Sequence, residues 1–283
     1  MKSDAFRVAI VTGGGRGLGR AMALGLLKHG IAVAAVDRDS GPLQELAATA
    51  WERGHPGALH TIVEDLTLPG AAERTGLQVL ARFGRMDILV NNAGMGLSVV
   101  WKDRWVRPVR FWDIEPDQWR LFFKINTDAL FLMSRMVAPH MMREGWGRIV
   151  NVTTSLGTML RGGSAPYGPS KAAAEAMTAI MAAELEKTGV TVNVLAPGGL
   201  ANTSANLQAP FDRAKLLQPE IMVPPLLWLI SDAAANVTSR RFIAARWDPA
   251  LPPEEAAAIA SAPVAWPIAG NESILPERLV PVQ

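Results

Sequence analysis

The chain has 283 residues, of which 49% are apolar and 19% charged, a composition that supplies a sizeable core and excludes a disordered chain. The 28 Lys and Arg residues nearly balance the 26 Asp and Glu residues, so no basic excess indicates nucleic-acid binding. The absence of cysteine excludes disulfides and thiolate metal sites, and no apolar run reaches the roughly 18 residues that span a bilayer. We therefore expect a soluble, cytoplasmic protein that binds neither nucleic acid nor membrane.

Short β-branched runs alternate with longer helical stretches along the chain. Seven runs have the length and apolar content of strands, and they lie at 8–11, 31–36, 59–63, 88–90, 149–152, 190–195 and 241–244. Helical stretches lie near 18–28, 41–53, 70–83, 117–143, 168–187 and 224–234. Several strand runs are apolar throughout, which is typical of parallel strands buried on both faces. The alternation predicts an α/β fold with a doubly wound, mostly parallel seven-stranded sheet and helices on both faces.

The composition changes after about Asp248, where prolines become frequent. This change predicts an extended proline-rich C-terminal tail over 248–283, with one short helix near 254–259. The remaining residues, 1–247, form the main domain in this interpretation.

A glycine-rich turn at residues 12–19 joins the first predicted strand to the first helix. Glycines at such a junction let backbone N–H groups approach a pyrophosphate at the helix N-terminus. Asp37 closes the second strand, where a carboxylate can bind ribose hydroxyls. The glycine spacing differs from the G-x-G-x-x-G fingerprint, so a plain strand-to-helix turn is the alternative. We predict a dinucleotide-binding domain over 1–247.

Five motifs in this order resemble those of the short-chain dehydrogenase/reductase family, which are single-domain Rossmann oxidoreductases with a Tyr-x-x-x-Lys active site. The motifs are the glycine turn at 12–19, Asn91-Asn92-Ala93-Gly94, Asn126, Tyr167-Gly168-Pro169-Ser170-Lys171 and Pro197-Gly198. They cover roughly residues 6–245. The resemblance implies that the cofactor is bound by Gly13, Gly15, Arg16, Gly17, Leu18, Gly19, Asp37, Arg38, Asp65, Leu66, Asn92, Ala93, Gly94, Tyr167, Lys171, Pro197, Gly198 and Thr203.

Tyr167 and Lys171 stand four residues apart, so on a helix they share one face. A nearby ammonium favours the phenolate and lowers a tyrosine pKa from about 10 towards neutrality. The phenol then serves as an acid for a carbonyl oxygen or a base for an alcohol. The alternative is an exposed pair worth a few tenths of a kcal/mol.

The family places a serine thirteen residues before the tyrosine, and that count reaches Thr154 here. Threonine keeps the hydroxyl donor and adds a methyl group that narrows the pocket. Ser155 is the alternative, and either hydroxyl could instead satisfy backbone groups at the strand end. For Asn126 the resemblance implies a helix distortion whose carbonyl holds a water beside Lys171. A tolerated exposed position is the alternative reading of Asn126.

Two further predicted site residues have alternative interpretations. Asp65 matches the family's acid near the adenine ring, and a simple helix cap is the alternative. After Gly198 the family usually has a threonine four residues on, but Asn202 occupies that place and Thr203 follows, so either side chain could contact the carboxamide.

A segment at 96–112 follows the fourth predicted strand and is too long for an ordinary strand-to-helix connection. It carries several tryptophans among arginines, which raises the possibility of stacking on nucleic acid. We expect it instead to form part of the substrate entrance, with Trp101 and Trp105 contacting substrate. The alternatives are packing against a neighbouring subunit or against the proline-rich tail around Trp266.

We predict an oxidoreductase that transfers hydride between a nicotinamide cofactor and a small-molecule carbonyl or secondary alcohol. NAD(H) is preferred because Asp37 would repel a 2′-phosphate, whereas Arg16 and Arg38 leave NADP(H) use open. The resemblance implies a homotetramer or a dimer. The alternatives are a catalytically silent nucleotide-binding regulatory protein and an epimerase or dehydratase with the same Tyr/Lys pair. No metal is expected, because the four histidines lack ligand-like spacing.

Overall fold

Eight strands form one sheet at the centre of the computed structural model, which describes residues 6–266. The strands are β1 (Val8–Thr12), β2 (Ala32–Asp37), β3 (Leu59–Val63), β4 (Ile88–Asn91), β5 (Gly147–Val152), β6 (Val190–Ala196), β7 (Arg240–Ile243) and β8 (Ser261–Pro263). Their order is β3-β2-β1-β4-β5-β6-β7-β8, and only β7 and β8 pair in antiparallel fashion. The order reverses where β1 meets β4, and in such sheets ligands bind beyond the carboxyl ends of the strands at that point.

Helices cover both faces of this sheet. They are α1 (Gly17–Lys28), α2 (Ser40–Glu52), α3 (Ala71–Phe83), α4 (Pro116–Phe123), α5 (Ala129–Glu144), α6 (Leu156–Leu160), α7 (Tyr167–Glu184), α8 (Val223–Leu229) and α9 (Pro253–Ala260). Ala9 and Val11 pack with α1, α2 and α8 on one face, while Val8 and Ile10 pack with α3, α5 and α7 on the other. Successive strand residues point to opposite faces, which is why these strands are apolar throughout.

The doubly wound, mostly parallel sheet is confirmed, with one strand more than the sequence predicts. The short helix predicted near 254–259 is present as α9, and it buries Ala256, Ala257 and Ala260. The chain then returns as β8, whose Ala262 pairs with Arg241 of β7. Three residues that include a proline carry no detectable alternation, so the pattern of the sequence could not show this strand. Residues 253–263 are therefore docked on the sheet, and the rest of the predicted tail, 267–283, lies outside the described residues.

Between residues 6 and 266 no helix combines the length and apolar character that crossing a bilayer requires. Over the same residues, no group of three or more histidine or carboxylate side chains is placed to hold a metal ion.

Candidate active site

A cavity of about 1000 Å³ opens at the carboxyl edge of the sheet, beside the point where the strand order reverses. It is lined by residues that the sequence predicts for the cofactor or substrate: Gly13, Arg16, Gly17, Leu18, Asp37, Arg38, Asp65, Leu66, Asn92, Ala93, Gly94, Trp105, Thr154, Ser155, Tyr167, Lys171, Pro197, Gly198 and Thr203. Four predicted residues do not line it, namely Gly15, Gly19, Trp101 and Asn126. The structure therefore brings most of the predicted residues to one cavity.

The glycine turn after β1 has the shape of a cradle for a phosphate group. Gly13 and Gly17 adopt positive φ angles of 61° and 54°, which favour glycine. A Cβ on Gly19 would collide with the Gly13 carbonyl, so only glycine lets α1 begin this close to the turn. The Asn92 amide donates to the Thr12 and Gly13 carbonyls at 2.9 and 3.1 Å and fixes the turn against the end of β4. The residues present thus fit the pyrophosphate of a dinucleotide at the N-terminus of α1.

Carboxylate side chains lie at the end of the cavity beyond β2. Asp37 accepts hydrogen bonds from the Gly15 and Asp39 backbone N–H groups, each at 3.2 Å. Gly15 therefore contacts Asp37 and does not itself line the cavity. Arg16 forms an ion pair with Asp39 and lies 3.8 Å from Asp37 Oδ1. Arg38 is mostly exposed.

Asp65 lines the cavity and also stabilises the turn that follows β3. It accepts hydrogen bonds from the Thr67 N–H at 2.9 Å and the Thr67 hydroxyl at 2.7 Å. Burial opposes ionisation, but these hydrogen bonds, helped by Arg38 and Lys124, hold the pKa of Asp65 below its ordinary value. Asp65 is therefore a carboxylate at neutral pH.

A π-helical turn over Lys124–Asp128 joins α4 to α5 and turns Asn126 fully inward. The side chain bridges two elements: Oδ1 accepts from the Met95 N–H at 2.9 Å, and Nδ2 donates to Ser170 Oγ of α7 at 3.0 Å. A Cβ on Gly94 would lie 2.7 Å from Asn126 Oδ1, so glycine is required beside it. This excludes the exposed alternative for Asn126 and gives the expected helix distortion, with Asn126 behind the cavity wall rather than in it.

Tyr167 and Lys171 lie on the first turns of α7 and both line the cavity. Lys171 is only 6% exposed, its Nζ donates to the Val152 carbonyl at 2.9 Å, and burial lowers its pKa to about 8. Burial raises the pKa of Tyr167, and the Thr154 hydroxyl and the Arg104 cation partly oppose this effect. The sequence argument expected Lys171 to lower this pKa. In the structure the net direction is upward, and the cation that opposes it is Arg104.

The two candidate hydroxyls have different partners. The Thr154 hydroxyl interacts with the Tyr167 phenol and opposes the rise of its pKa. Ser155 Oγ instead caps α6, where it accepts from the Thr158 N–H at 3.2 Å and contacts the Thr158 hydroxyl at 2.7 Å. The geometry thus favours Thr154 over Ser155 as the partner of the phenol.

Comparison with known proteins agrees with this geometry. The family model described as short chain dehydrogenase matches residues 7–212. The chain belongs to the short-chain dehydrogenase family. It is accordingly a nicotinamide-dependent oxidoreductase that transfers hydride between the cofactor and a carbonyl or alcohol.

Among similar family members is a 3-oxoacyl-[acyl-carrier-protein] reductase of a Synechocystis species, 30% identical over 83% of this chain and 94% of its own length. A (2S)-[(R)-hydroxy(phenyl)methyl]succinyl-CoA dehydrogenase subunit of Thauera aromatica is 31% identical over 83% and 93%. Among solved structures, a putative NAD(P)-dependent gluconate 5-dehydrogenase of Beutenbergia cavernae with bound NADP has a TM-score of 0.71. It is 33% identical and the match covers 83% and 94%. A gluconate 5-dehydrogenase of Burkholderia cenocepacia, in complex with NADP and tartrate, has the same TM-score with 30% identity and covers 82% and 91%.

Of the two tryptophans predicted to contact substrate in this dehydrogenase, only one lines the cavity. Trp105 lines the cavity and packs edge-on against Phe211, with ring centroids 5.6 Å apart. Trp101 stacks on the buried Phe122 at 6.0 Å and does not reach the cavity. After Gly198, Thr203 lines the cavity, whereas Asn202 donates to Gln218 at 2.9 Å.

Sequence reasoning did not single out three residues around this site. Arg104 and Arg161 line the cavity beside Tyr167, and Arg241 binds the Thr154 carbonyl at 2.6 Å. Arg104 stands in the tryptophan-rich segment, where it is one of several arginines with nothing to distinguish it. Only the folded chain shows which of them faces inward.

Proposed function

We propose that Tyr167 is the acid and base of this oxidoreductase, with Lys171, Thr154 and Asn126 in supporting roles. The observation that carries the proposal is the convergence of the phenol, the Thr154 hydroxyl and Lys171 at one end of the cavity. The bound nicotinamide supplies the hydride for reduction and accepts it for oxidation.

In the reducing direction, Tyr167 gives its phenolic proton to the carbonyl oxygen as the carbon gains hydride, and the product is an alcohol. The Thr154 hydroxyl hydrogen-bonds to that oxygen and orients it towards the phenol. The Lys171 ammonium stabilises the phenolate that remains on Tyr167. Asn126 keeps Met95 and α7 at a fixed separation, so it is a positioning residue.

Tyr167→Phe tests this proposal because it removes the proton donor and keeps the ring. General acid–base groups contribute about 10²–10⁴-fold, so turnover is expected to fall by that factor. NADH affinity, followed by its fluorescence on binding, should stay within a few-fold of wild type. A variant that retains more than a tenth of wild-type kcat would exclude Tyr167 as the proton donor.

We further propose that NAD(H) is preferred over NADP(H). The Asp37 carboxylate faces the cavity and is held in place by two backbone N–H groups. A 2′-phosphate about 4 Å from it would be disfavoured by on the order of 4 kcal/mol at an effective dielectric constant near 20. Arg16 and Arg38 both pair with Asp39, but Arg38 does so at 3.8 Å and is the more exposed of the two, so it is the cation more available to a 2′-phosphate.

The ratio of kcat/KM for NADH to that for NADPH tests this preference. We expect a ratio well above one for wild type and a large fall in Asp37→Ala. Arg38→Ala is the matched control, because it removes a cation from the same end of the cavity and should raise the ratio. Equal use of both cofactors by wild type would contradict the proposal. The test discriminates well, because both solved relatives named above contain NADP.

We also propose that the enzyme is a homodimer or homotetramer. Large aromatic side chains stand exposed on the segment before α4 and on α4 and α5: Phe111, Trp112, Trp119 and Phe131. Water-exposed aromatic groups at this density are typical of an interaction surface. Light scattering at micromolar concentration should give a multiple of 30.4 kDa, and Trp112→Ser should reduce the measured mass. A monomeric wild-type mass would refute this proposal.

A further inference from the structure

Two arginines face the end of the cavity that holds the reacting phenol. Arg104 lies on the segment after β4, and Arg161 directly follows α6. Both line the cavity together with Thr154 and Tyr167. They come from separate parts of the chain, so the fold and not the local sequence brings them together.

The Arg104 guanidinium is fixed on two sides. Its Nε donates to Ser98 Oγ at 2.8 Å, and its central carbon lies 3.9 Å from the centre of the Trp105 ring. These contacts use the Nε–H and one flat face of the group. The two terminal amino groups remain available as donors, and a planar guanidinium presents such donors in the geometry that a carboxylate accepts.

The charge of this arginine pair is not balanced within residues 6–266. Among those residues neither guanidinium forms an ion pair with a carboxylate. Burial, together with the cation of Arg161, lowers the pKa of Arg104, because two like charges share a region with little water. An anion bound to both guanidinium groups would offset the cost of burying the Arg104 charge and the repulsion between the two arginines.

The carboxylates that line the cavity lie elsewhere and are engaged. Asp37 accepts two backbone hydrogen bonds, Asp65 is held by Thr67, and Glu64 binds Arg74 through two hydrogen bonds of 2.8 and 2.9 Å. All three lie at the carboxyl ends of β2 and β3, on one side of the sheet. Tyr167 begins α7, which connects β5 and β6 on the other side of β1. No carboxylate of residues 6–266 is thus placed to pair with the arginines, and the anion that fits them is a bound ligand rather than one of these side chains.

We propose that the substrate is an oxo or hydroxy acid whose carboxylate binds Arg104 and Arg161 while its carbonyl or hydroxyl reaches Tyr167. This inference rests on the proposed role of Tyr167. The wall near the arginines is also apolar, with Leu97, Val100 and Phe211 among its residues. The acid therefore carries an apolar body rather than a chain of hydroxyls.

Matched acid and ester substrates test the proposal with the full chain and NADH. The pairs are phenylglyoxylate and 4-oxo-4-phenylbutanoate with their methyl esters, which differ from the acids in charge and keep the carbonyl. Wild type should favour one of the acids by about tenfold or more in kcat/KM. Arg161→Gln and Arg104→Gln should each bring the acid-to-ester ratio close to one. Arg107→Gln, an exposed arginine of the same segment that pairs with Asp103, should leave the ratio unchanged.

A binding measurement separates this inference from the proposed catalytic role. Calorimetry with 4-phenylbutanoate, which has no carbonyl to reduce, should show saturable binding that 4-phenylbutanamide lacks and Arg161→Gln removes. If the acid binds in this way but no carbonyl compound is reduced, the carboxylate site stands and the role of Tyr167 fails. If esters are reduced as well as acids and 4-phenylbutanoate does not bind, the catalytic role stands and the carboxylate site is refuted. Inorganic phosphate that binds as tightly as the carboxylate would also overturn the assignment.

Discussion

Replacing Arg241 with methionine should destabilise the fold and slow catalysis together. Arg241 Nε donates to Glu175 Oε1 at 2.8 Å, and Nη2 donates to Glu175 Oε2 at 3.0 Å and to the Thr154 carbonyl at 2.6 Å. The Thr153 hydroxyl donates to Glu175 Oε2 at 2.9 Å. Arg241 is 4% exposed and Glu175 is fully buried. This buried pair thus ties β7 and α7 to the peptide that carries the Thr154 hydroxyl.

The expected loss follows from leaving Glu175 charged, buried and without its cation. Removing one partner of a buried ion pair lowers the free energy of unfolding by about 3–5 kcal/mol. For a domain of about 250 residues each kcal/mol moves Tm by about 2–4 °C, so Tm should fall by roughly 6–20 °C. The double variant Glu175→Leu, Arg241→Met should recover most of this loss, because well-packed apolar groups often replace a buried ion pair at little cost.

Urea unfolding followed by tryptophan fluorescence measures the stability change, and NADH absorbance measures kcat at a temperature where each variant is folded. We expect Arg241→Met to lower kcat even there, because the Thr154 peptide loses its anchor. The control is Arg74→Met, which breaks the more exposed pair with Glu64 and should leave the free energy of unfolding much closer to wild type than Arg241→Met does. A loss below about 1 kcal/mol for Arg241→Met, or a double variant as unstable as the single one, would refute the reasoning.

Three further predictions concern the site. Thr154→Ala should lower kcat/KM more than Ser155→Ala, and Thr154→Ser should keep substantial activity. The reverse order would make Ser155 the substrate-orienting hydroxyl. Trp105→Ala should raise KM for the carbonyl substrate and leave KM for NADH unchanged. Trp101→Ala should chiefly lower Tm. Equal effects of the two variants on KM for the carbonyl substrate would contradict the assignment of Trp105 alone to the substrate site. Carbonyl reduction should decline as the pH rises through about 8, the pKa of Lys171, as followed by initial rates of NADH oxidation.

The parallel part of the sheet was predictable because its signal is repeated and local. Strands such as β1 and β6 are buried at every position and mostly apolar, and each is followed or preceded by a helix of ordinary length. Strand β8 gave no such signal, because three residues are too few for a period and its pairing depends on where β7 lies. The same limit applies to the tail, whose prolines indicate an extended chain but whose small Ala256 and Ala257 pack against the sheet.

The site was predictable where its residues are close in sequence or belong to an ordered set of motifs. Tyr167 and Lys171 share a helix turn, and counting back from Tyr167 reaches Thr154. The electrostatics were not predictable from spacing, because the cation that acts on the phenol comes from Arg104, 63 residues away along the chain. Burial then reversed the expected direction of the tyrosine pKa, and burial is a property of the whole fold.

The pH dependence through Lys171 has opposite signs for activity and for stability. Burial lowers the pKa of Lys171 to about 8 in the folded protein, against about 10.4 in an unfolded chain. Between these values the unfolded state binds more protons, so the free energy of unfolding should rise with pH, by up to about 1.4 kcal/mol per unit. Carbonyl reduction should decline over the same range, because the ammonium is lost while Tyr167, whose pKa is raised, remains a proton donor. Lys171→Met should flatten the rise in stability between pH 8 and 9.5 in urea titrations without cofactor. A wild-type protein that gains no stability relative to Lys171→Met over this range would show that Lys171 keeps its charge in the fold, and the loss of activity would then need another group.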